Sequence, residues 1–378
     1  MSVLLFSTMP WPFPAQLAGA FAACGVRVEA LSPAQAKLAQ SRHIARRHDW
    51  HLLTPQASLK QALAVSNPEL VIPCDDLAME VWLVHQGEMP LGRHDFLSRA
   101  QAVGAPVAQA RAIEDALDLD IAIAELGLPL VVKSDATWGG DGVVIVETRE
   151  AARAALAGLQ VSRLRNLARA LLRKRAYFLS RALFPVAARV SAQRFVAGKP
   201  ATSALACWQG KVVAAHHFDV VQASSATGPA SVVTRTDCPQ MRASAIAVAK
   251  AFNLSGLVGL DYIRDAEGRV YLLEMNARAV PTSHLALTDD LAFALLAAAG
   301  LKATPRGPAT DRRTIALFPR EWLRDPASPW LKSAFHDVPW DDPAVVRACA
   351  ATAPPAAQAV LVASADPALT PKTAHSRP

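Results

Sequence analysis

Two short segments in the second half of the sequence decide the fold: Gly259-Leu-Asp261 and Leu272-Leu-Glu-Met-Asn-Ala-Arg278. They belong to two apolar runs, 256–264 and 269–276, on either side of Asp265-Ala-Glu-Gly268. Two runs of this kind around a short polar segment with a glycine predict a β-hairpin. The polar side chains of both segments therefore lie on strands, where alternation determines the face on which each one emerges.

Asp261, Glu274 and Asn276 are predicted to share one face of this hairpin. Glu274 and Asn276 are two residues apart and point the same way. A turn centred between Ala266 and Glu267 would place Asp261 opposite Leu272, on that same face and diagonal to Glu274. Two carboxylates and an amide oxygen are hard ligands that suit Mg²⁺ together with phosphate oxygens. The alternative is a solvated hairpin face, which the apolar neighbours on both sides disfavour.

A second candidate site combines Lys133 with the loop that follows it, Trp138-Gly-Gly-Asp-Gly142. The runs 128–133 and 143–146 predict two antiparallel strands joined by this loop. Gly139, Gly140 and Gly142 would let the backbone approach phosphates closely, and a lysine at the loop base would neutralise phosphate charge. An ordinary glycine hairpin with a surface lysine is the alternative. The loop is neither a Walker loop nor a kinase loop, because the required lysine positions and partner motifs are missing.

The first ninety residues alternate strand and helix patterns, with strands near 3–6, 27–31 and 70–73. This order predicts a small parallel α/β sheet. Asp75 and Asp76 follow the third strand, at the edge where such sheets place ligands, and are candidates for substrate recognition. The loop after the first strand contains no G-x-G-x-x-G, so a dinucleotide site is not predicted.

The composition is that of a globular chain, and its positive charge is local. The 378 residues are 52% apolar and 19% charged, with a net charge of +7. Twelve Lys and Arg residues but no Asp or Glu lie between Glu150 and Asp219, so the rest of the chain carries 7 minus 12, or −5. We interpret residues 163–181 as a solvated amphipathic helix. A docking face for an anionic substrate or acyl carrier, and an interfacial membrane helix, are the alternatives. Nucleic acid is disfavoured, because the segment has few aromatics and no recognisable reading motif.

Cysteine usage and hydropathy indicate a cytoplasmic protein. The five cysteines are scattered, with no C-x-x-C pair, which argues against a disulfide framework or a structural zinc site. No apolar stretch approaches the roughly 20 residues of a membrane-spanning helix. Adjacent His216 and His217 point to opposite faces of a strand and are not predicted to bind a metal together. His284 is interpreted as structural.

In their order and spacing, the hairpin carboxylates and the lysine with its glycine loop resemble the ATP-grasp superfamily. The resemblance runs from the N-terminal α/β region to about residue 300. It implies an α/β (α+β) fold: an ATP-grasp domain preceded by a Rossmann-like pre-ATP-grasp domain. It also implies that Asp261, Glu274 and Asn276 hold Mg²⁺ or Mn²⁺ against ATP, that Lys133 contacts the α-phosphate and adenine side, and that residues 139–142 cover the phosphates.

Further positions are assigned by the same resemblance. Arg93 stands where the family usually has a phosphate-binding lysine, and Gln193 or the backbone near Val196 stands at the adenine hinge. Arg278 would stabilise the acyl phosphate and its transition state, which requires a fixed cation beside developing oxyanion charge. Thr227-Gly-Pro-Ala230 is similar to a loop that faces the acceptor site in several family members.

The resemblance divides the chain and implies a reaction. The expected parts are a pre-ATP-grasp domain (1–92), an ATP-grasp domain (93–304, with a lid at about 128–197 and a metal-binding part at about 198–304), and a partly disordered C-terminal extension (305–378). The implied activity is a Mg-ATP-dependent ligase that activates a carboxylate as an acyl phosphate for attack by an amine. A nucleotide-binding protein without ligase activity and a small-molecule phosphotransferase are the alternatives. The partners would be small molecules, and a homodimer stays open.

Overall fold

A computed structural model describes residues 1–134, 142–160, 190–225, 228–355 and 357–358. Within these ranges the chain forms three β-sheets of four, seven and four strands, with helices packed against them. Several segments named above lie outside the described residues: Trp138 to Asp141, the basic residues 163–181, and Thr227. No helix in the described part of the chain is long and apolar enough to span a membrane.

The N-terminal sheet is parallel, with strand order β3-β2-β1-β4. The inner strand β1 is buried along its whole length, because apolar cores cover both faces of the sheet there. The elements are β1 (Ser2–Phe6), α1 (Phe13–Ala23), β2 (Arg27–Ser32), α2 (Lys37–Gln40), β3 (Ile44–Asp49), α3 (Pro55–Ser66), β4 (Leu70–Pro73) and α4 (Asp76–His85). The predicted parallel sheet is confirmed, but it has a fourth strand. The sequence analysis missed β3 because this edge strand is mostly charged and half-exposed.

The small sheet is antiparallel, with strand order β5-β8-β6-β7. Its elements are α5 (Arg93–Ala102), β5 (Ala110–Ile113), α6 (Ala116–Leu126), β6 (Leu130–Ser134), β7 (Val143–Val146), α7 (Arg149–Leu159) and β8 (Val190–Arg194). The expected hairpin is present, and Lys133 pairs with Val143. Between helices α5 and α6, Ala110–Ile113 pairs with β8 as an edge strand.

The large sheet carries the hairpin with the candidate metal ligands. Its order is β13-β12-β9-β10-β11-β14-β15. Its elements are β9 (Lys199–Trp208), β10 (Lys211–Ala223), β11 (Ala230–Arg235), α8 (Pro239–Ala251), β12 (Gly256–Arg264), β13 (Val270–Asn276), α9 (Leu291–Ala298), β14 (Thr314–Ala316) and β15 (Phe335–His336). Helix α8 covers one face. On the other face, α9 and α1 join the N-terminal sheet and the large sheet in one apolar core, so the two parts are packed firmly together.

The C-terminal segment completes the large sheet rather than trailing from it. Besides β14 and β15 it forms α10 (Arg320–Arg324), α11 (Trp330–Ser333) and α12 (Pro343–Ala351). It also contacts the N-terminal domain, where Gln16 Nε2 donates to the Asp337 carbonyl at 2.5 Å and Ser41 Oγ donates to Asp342 Oδ2 at 2.6 Å. Between Thr314 and Ala351 the C-terminal segment is therefore part of the fold, because its strands pair with the large sheet. The domain boundaries themselves stay predictions.

Candidate active site

The hairpin of β12 and β13 brings Asp261, Glu274 and Asn276 together, in a register different from the predicted one. Asp261 pairs directly with Glu274, not with Leu272, because a bulge interrupts the ladder between Asp261 and Tyr262. The extra residue shifts the pairing without moving Glu274 from the face of Asp261. Asn276 Nδ2 donates to Asp261 Oδ2 at 2.9 Å, which confirms the shared face.

Two carboxylates on one enclosed face repel each other, and Asp261 shows the effect. Burial first, and then the negative charge of Glu274, raise the pKa of Asp261 to about 6, against hydrogen bonds from Thr202 and Asn276. A cation would relieve this repulsion, and two carboxylates with an amide oxygen form a donor set that fits Mg²⁺. Among the described residues, no group of three or more His, Cys, Asp or Glu side chains is arranged to hold a metal. The donor set therefore favours a hard cation with phosphate ligands over a zinc-type centre.

Arg93 reaches the same carboxylates from helix α5. Its Nη2 lies 3.0 Å from Glu274 Oε2, and its Nη1 donates to the Ser134 carbonyl at 3.1 Å. The guanidinium thus connects a candidate metal ligand to the base of the glycine-rich loop. The phosphate contact expected of Arg93 stays a prediction.

Lys133 is buried on β6 and faces the same cleft. Its Nζ donates to Gln193 Oε1 at 2.5 Å, and Gln193 Nε2 donates to the Ala108 carbonyl at 3.3 Å. Burial lowers the pKa of Lys133 to about 8, an effect that the charge of Glu274 opposes. The structure therefore brings Lys133 and Gln193 together, within electrostatic reach of the carboxylates on β13.

Arg278 is buried at the end of β13 and is held from two sides. Its Nη2 donates to Asn276 Oδ1 at 3.0 Å, so it lies beside the candidate metal ligands although β13 ends two residues earlier. Its Nε and Nη2 donate to the two oxygens of Asp76 at 2.9 and 3.1 Å, and its guanidinium lies 5.6 Å from the ring centre of Trp11. Although burial opposes the charge, Asp76 keeps the pKa of Arg278 above its usual value. The N-terminal domain therefore sets the direction of this cation.

Asp75 does not have the predicted role in substrate recognition. Its side chain is fully enclosed, caps helix α4 by accepting from Ala78 N, and accepts from Ser7 and from the backbone and hydroxyl of Thr8. Its oxygens are used within the fold, whereas Asp76 faces Arg278.

A known protein family matches the part of the chain that carries most of this cleft. Residues 92–292, more than half of the chain, match the family model described as the carbamoyl-phosphate synthase L chain, ATP binding domain. The chain belongs to this ATP-grasp family. The matched residues run from the start of helix α5 to the start of α9 and include Arg93, Lys133, Gln193, Asp261, Glu274, Asn276 and Arg278.

Two kinds of relative are similar to this ATP-grasp chain. A D-alanine–D-alanine ligase of Neisseria meningitidis serogroup B is 26% identical over 194 residues, which cover 49% of this chain and 56% of that protein. The chain thus spans about half the length of the curated relatives it matches. Among solved structures, the N5-carboxyaminoimidazole ribonucleotide synthetase of Thermus thermophilus has a TM-score of 0.58 at 18% identity and covers 82% of this chain and 81% of its own. A Campylobacter jejuni biotin carboxylase–β,γ-ATP complex has a TM-score of 0.58 at 14% identity, with 81% and 74% covered. These two likenesses show the fold.

Of the remaining residues predicted to contact the nucleotide, the structure describes Gly142 and Val196. Gly142 is buried and its carbonyl accepts from Ser134 N at 3.0 Å, which closes the hairpin at the base of the loop. Gly139 and Gly140 lie outside the described residues. Val196 follows the end of β8 and is partly buried, near the strand that carries Gln193. The adenine contact stays a prediction.

The histidines of the ATP-grasp chain are held in structural contacts. His216 Nε2 lies 3.2 Å from the Leu285 carbonyl, and His217 Nδ1 lies 2.7 Å from Ser203 Oγ, on the opposite face of β10. Both line a cavity of about 450 Å³ with Arg235, Arg242 and Arg313, which contains none of the cleft residues. His284 Nε2 lies 3.3 Å from Asp337 Oδ2 in the interior. These positions agree with the structural interpretation.

Two polar residues of the cleft were missed by sequence reasoning. Thr202 lies opposite Asp261 on β9 and hydrogen-bonds its carboxylate, and Arg320 of the C-terminal segment lies close enough to Arg278 for their charges to interact. Neither stands in a motif. Only the pairing of distant strands brings them to the site.

Proposed function

We propose that this chain is a Mg-ATP-dependent ligase that activates a small-molecule carboxylate as an acyl phosphate for attack by an amine or similar nucleophile. ADP and phosphate would be released, and a C–N bond is the favoured product. One observation carries the proposal: Asp261, Glu274, Asn276, Lys133 and Arg278 converge on one cleft. The D-alanine–D-alanine ligases that are similar to this chain are ligases by name and support this class.

The charges of the cleft suit phosphoryl transfer from ATP to a carboxylate. Asp261, Glu274 and Asn276 would hold Mg²⁺, which when bound neutralises the phosphate charge. Lys133 and Arg93 would bind and orient the phosphates from the small sheet and from helix α5. Gln193 holds the Lys133 ammonium through its 2.5 Å hydrogen bond and so directs it towards the cleft.

Arg278 suits the acyl-transfer half of the reaction. It is fixed by Asp76 and Asn276, so a developing oxyanion beside it would be stabilised with little reorganisation of the protein. No protein nucleophile is needed, because the substrate carboxylate attacks the γ-phosphate and the amine attacks the acyl phosphate. Catalysis then depends on charge neutralisation and on holding the two reactants in line.

The test is a product screen by mass spectrometry with ATP, Mg²⁺ and a matrix of carboxylates and amines. A ligase releases ADP only when both substrates are present, and gives a condensation product whose mass is the sum of the two less one water. A stable phosphorylated product would instead identify a small-molecule phosphotransferase. Nucleotide binding without ADP release across the matrix would contradict both enzymatic functions and favour a binding protein.

A further inference from the structure

A cavity of about 450 Å³ lies beside strand β10 of the large sheet, and its described lining includes none of the cleft residues. Strand β11 ends at Arg235, which pairs with Phe218, so β11 leaves the first half of β10 uncovered. The cavity lies at this end of β11, where residues 287–289 and Arg313 complete its wall. Its volume is typical of pockets that take small molecules. The structure therefore has room for a small ligand outside the ATP cleft.

Three arginines line this cavity, and one of them is paired with an acid. Arg242 Nη2 lies 2.6 Å from Asp237 Oδ1. Arg235 is half-buried, and its Nη2 donates to Thr288 Oγ1 at 2.5 Å. Arg313 Nη2 donates to the Arg235 carbonyl at 3.1 Å. In the part of the chain that the structure describes, no carboxylate lies within ion-pair distance of Arg235 or Arg313. Because a guanidinium has five N–H donors, both side chains keep donors for a ligand.

Backbone hydrogen bonds fix the relative positions of these side chains. Arg235 N donates to the Arg313 carbonyl at 2.9 Å, which joins the end of β11 to the residue before β14. Thr236 N donates to the His217 carbonyl at 3.0 Å, which joins the same end of β11 to β10. Three neighbouring segments of the sheet therefore bring Arg235, Arg313 and His217 to one cavity wall.

His217 presents a buried nitrogen that has no partner. Its side chain lines the cavity, and the residue is only 8% exposed. Nδ1 lies 2.7 Å from Ser203 Oγ, whereas Nε2 is buried without a hydrogen bond to any described residue. Burial first, and then the charges of Arg242 and His216, lower the pKa of His217 to about 4, so the ring is neutral near pH 7. With the Ser203 hydroxyl donating to Nδ1, the ring proton lies on Nε2, and an enclosed N–H without an acceptor is unfavourable.

The charge of the cavity wall is positive. Asp289 is the second acid of the lining, and its Oδ2 accepts from Ala215 N at 3.4 Å. Burial lowers the pKa values of both histidines, so they add no charge near pH 7. Three arginines and two aspartates then give 3 minus 2, or +1. An anion fits this wall better than a cation does.

We propose that this cavity binds a small metabolite through a phosphate group, with Arg235, Arg313 and His217 as the donors. Donors that come from three segments suit the several oxygens of a phosphate better than the two coplanar oxygens of a carboxylate. The bound oxygens would also satisfy the buried nitrogen of His217. This inference goes beyond the proposed ligase function and does not depend on it, because the cavity and the cleft share none of their described residues.

Chemical protection tests the site with inorganic phosphate as the probe. The full-length protein is treated with phenylglyoxal in sodium phosphate or in sodium chloride of equal ionic strength and pH, and peptide mass spectrometry follows each arginine. We expect phosphate to slow the modification of Arg235 and Arg313 several-fold and to leave Arg347, an exposed arginine on α12, unaffected. Arg93 reports separately on phosphate in the ATP cleft. The protection of Arg235 should persist in Lys133→Gln, which changes only the cleft.

Variants of the cavity wall test the assigned donors. The phosphate concentration that halves the modification rate of Arg313 should rise by about tenfold in Arg235→Gln and in His217→Phe, because each removes one donor to the anion. Arg347→Gln is the matched control and should behave as wild type. Arg235 is half-buried and its side chain makes no ion pair among the described residues, so Arg235→Gln should keep the fold if His217→Phe does not.

Each outcome either supports or overturns the phosphate site. Equal modification of Arg235 in phosphate and chloride would overturn it, and so would protection confined to Arg93. Protection by sodium acetate to the same extent as phosphate would overturn the phosphate class and assign the cavity to carboxylates. Unchanged protection of Arg313 in Arg235→Gln would show that the anion is not held by this wall. Protection of Arg235 and Arg313 in a protein that makes no ligation product would support the site, and only the proposed ligase function would fail.

Discussion

Arg278 and Asp76 are joined by two hydrogen bonds of 2.9 and 3.1 Å, although they are 202 positions apart in the chain. Arg278 lies two residues past the end of β13, whereas Asp76 begins helix α4 of the N-terminal domain. A backbone hydrogen bond of 3.0 Å from Ala279 N to the Pro73 carbonyl lies beside this pair. The N-terminal domain therefore positions the cation that the proposed reaction needs next to the acyl phosphate.

Replacing Asp76 tests this positioning. We expect Asp76→Asn to lower kcat by about 10- to 100-fold, because Arg278 loses its charged partner and about 1–3 kcal/mol of orienting interaction. The Kd of MgATP should change little, since Asp76 acts through Arg278, which is assigned to the acyl phosphate. Glu88→Gln, an exposed acid just past the same helix, is the control. An unchanged kcat in Asp76→Asn would show that the pair has only a structural role.

Glu274→Gln tests the metal assignment. A neutral amide is a poorer Mg²⁺ ligand than a carboxylate, so we expect turnover to fall by more than about 100-fold and Mg²⁺ affinity by at least about tenfold. Isothermal titration with Mg²⁺ and ADP measures the second effect. Glu267→Gln, on the exposed turn of the same hairpin, should leave both quantities unchanged. Full activity in Glu274→Gln would remove Glu274 from the metal site.

Lys133 should make nucleotide binding depend on pH. Because its pKa is lowered to about 8 in the free protein, raising the pH through 8 neutralises the ammonium that would contact phosphate. We expect MgATP affinity to fall between pH 7 and 9 in the wild type. Lys133→Arg remains charged over this range and should show a flat profile, whatever its absolute affinity. Parallel profiles for the two proteins would contradict the assignment of Lys133.

The same lysine should leave a signature in stability. An unfolded lysine titrates near pH 10.4, above the folded value of about 8, so the unfolded state binds more protons between these limits. The unfavourable contribution of Lys133 is therefore fully present below pH 8 and disappears as the pH rises towards about 10.4. Relative to Lys133→Met, the free energy of unfolding of the wild type should rise across this window. Denaturant titrations of both proteins at several pH values measure the difference, and a constant difference would contradict it.

Arg93 should matter for binding more than for stability. We expect Arg93→Ala to raise the Kd of MgATP by about tenfold, because a phosphate contact is lost. Its ion pair with Glu274 is partly exposed, so the loss of stability should stay below about 1 kcal/mol. Arg111→Gln, which breaks an exposed pair with Glu125, is the matched control. A large loss of stability with unchanged affinity would identify Arg93 as a structural residue.

Local patterns in the sequence were sufficient to predict the two hairpins and the candidate ligands. Alternation of side chains along a strand is a property of the backbone, so the shared face of Glu274 and Asn276 followed from their spacing. The predicted register of the β12–β13 hairpin was wrong because a bulge adds one residue to the pairing. The residues of the turn do not indicate this bulge. The shared face was retained even though the partner of Asp261 changed.

Edge strands were harder to predict than central ones. β3 is mostly charged and exposed, β5 is only four residues long, and both lie at the edges of their sheets. Such segments become strands because a neighbouring strand offers hydrogen bonds. Their own amino-acid composition does not favour a strand strongly enough to predict one. The same reasoning applies to β14 and β15, whose pairing depends on β11 being in place.

The sequence by itself determined which residues could bind a metal and phosphates, and on which face of a strand they lie. Only the tertiary structure decided what surrounds Arg278: Asp76 and Trp11 from the N-terminal domain, and Arg320 from the C-terminal segment. The physical reason is the range of the forces involved. Side-chain direction is set by neighbouring residues, whereas these contacts depend on the N-terminal sheet, the large sheet and the C-terminal segment packing through shared apolar cores that no local pattern encodes.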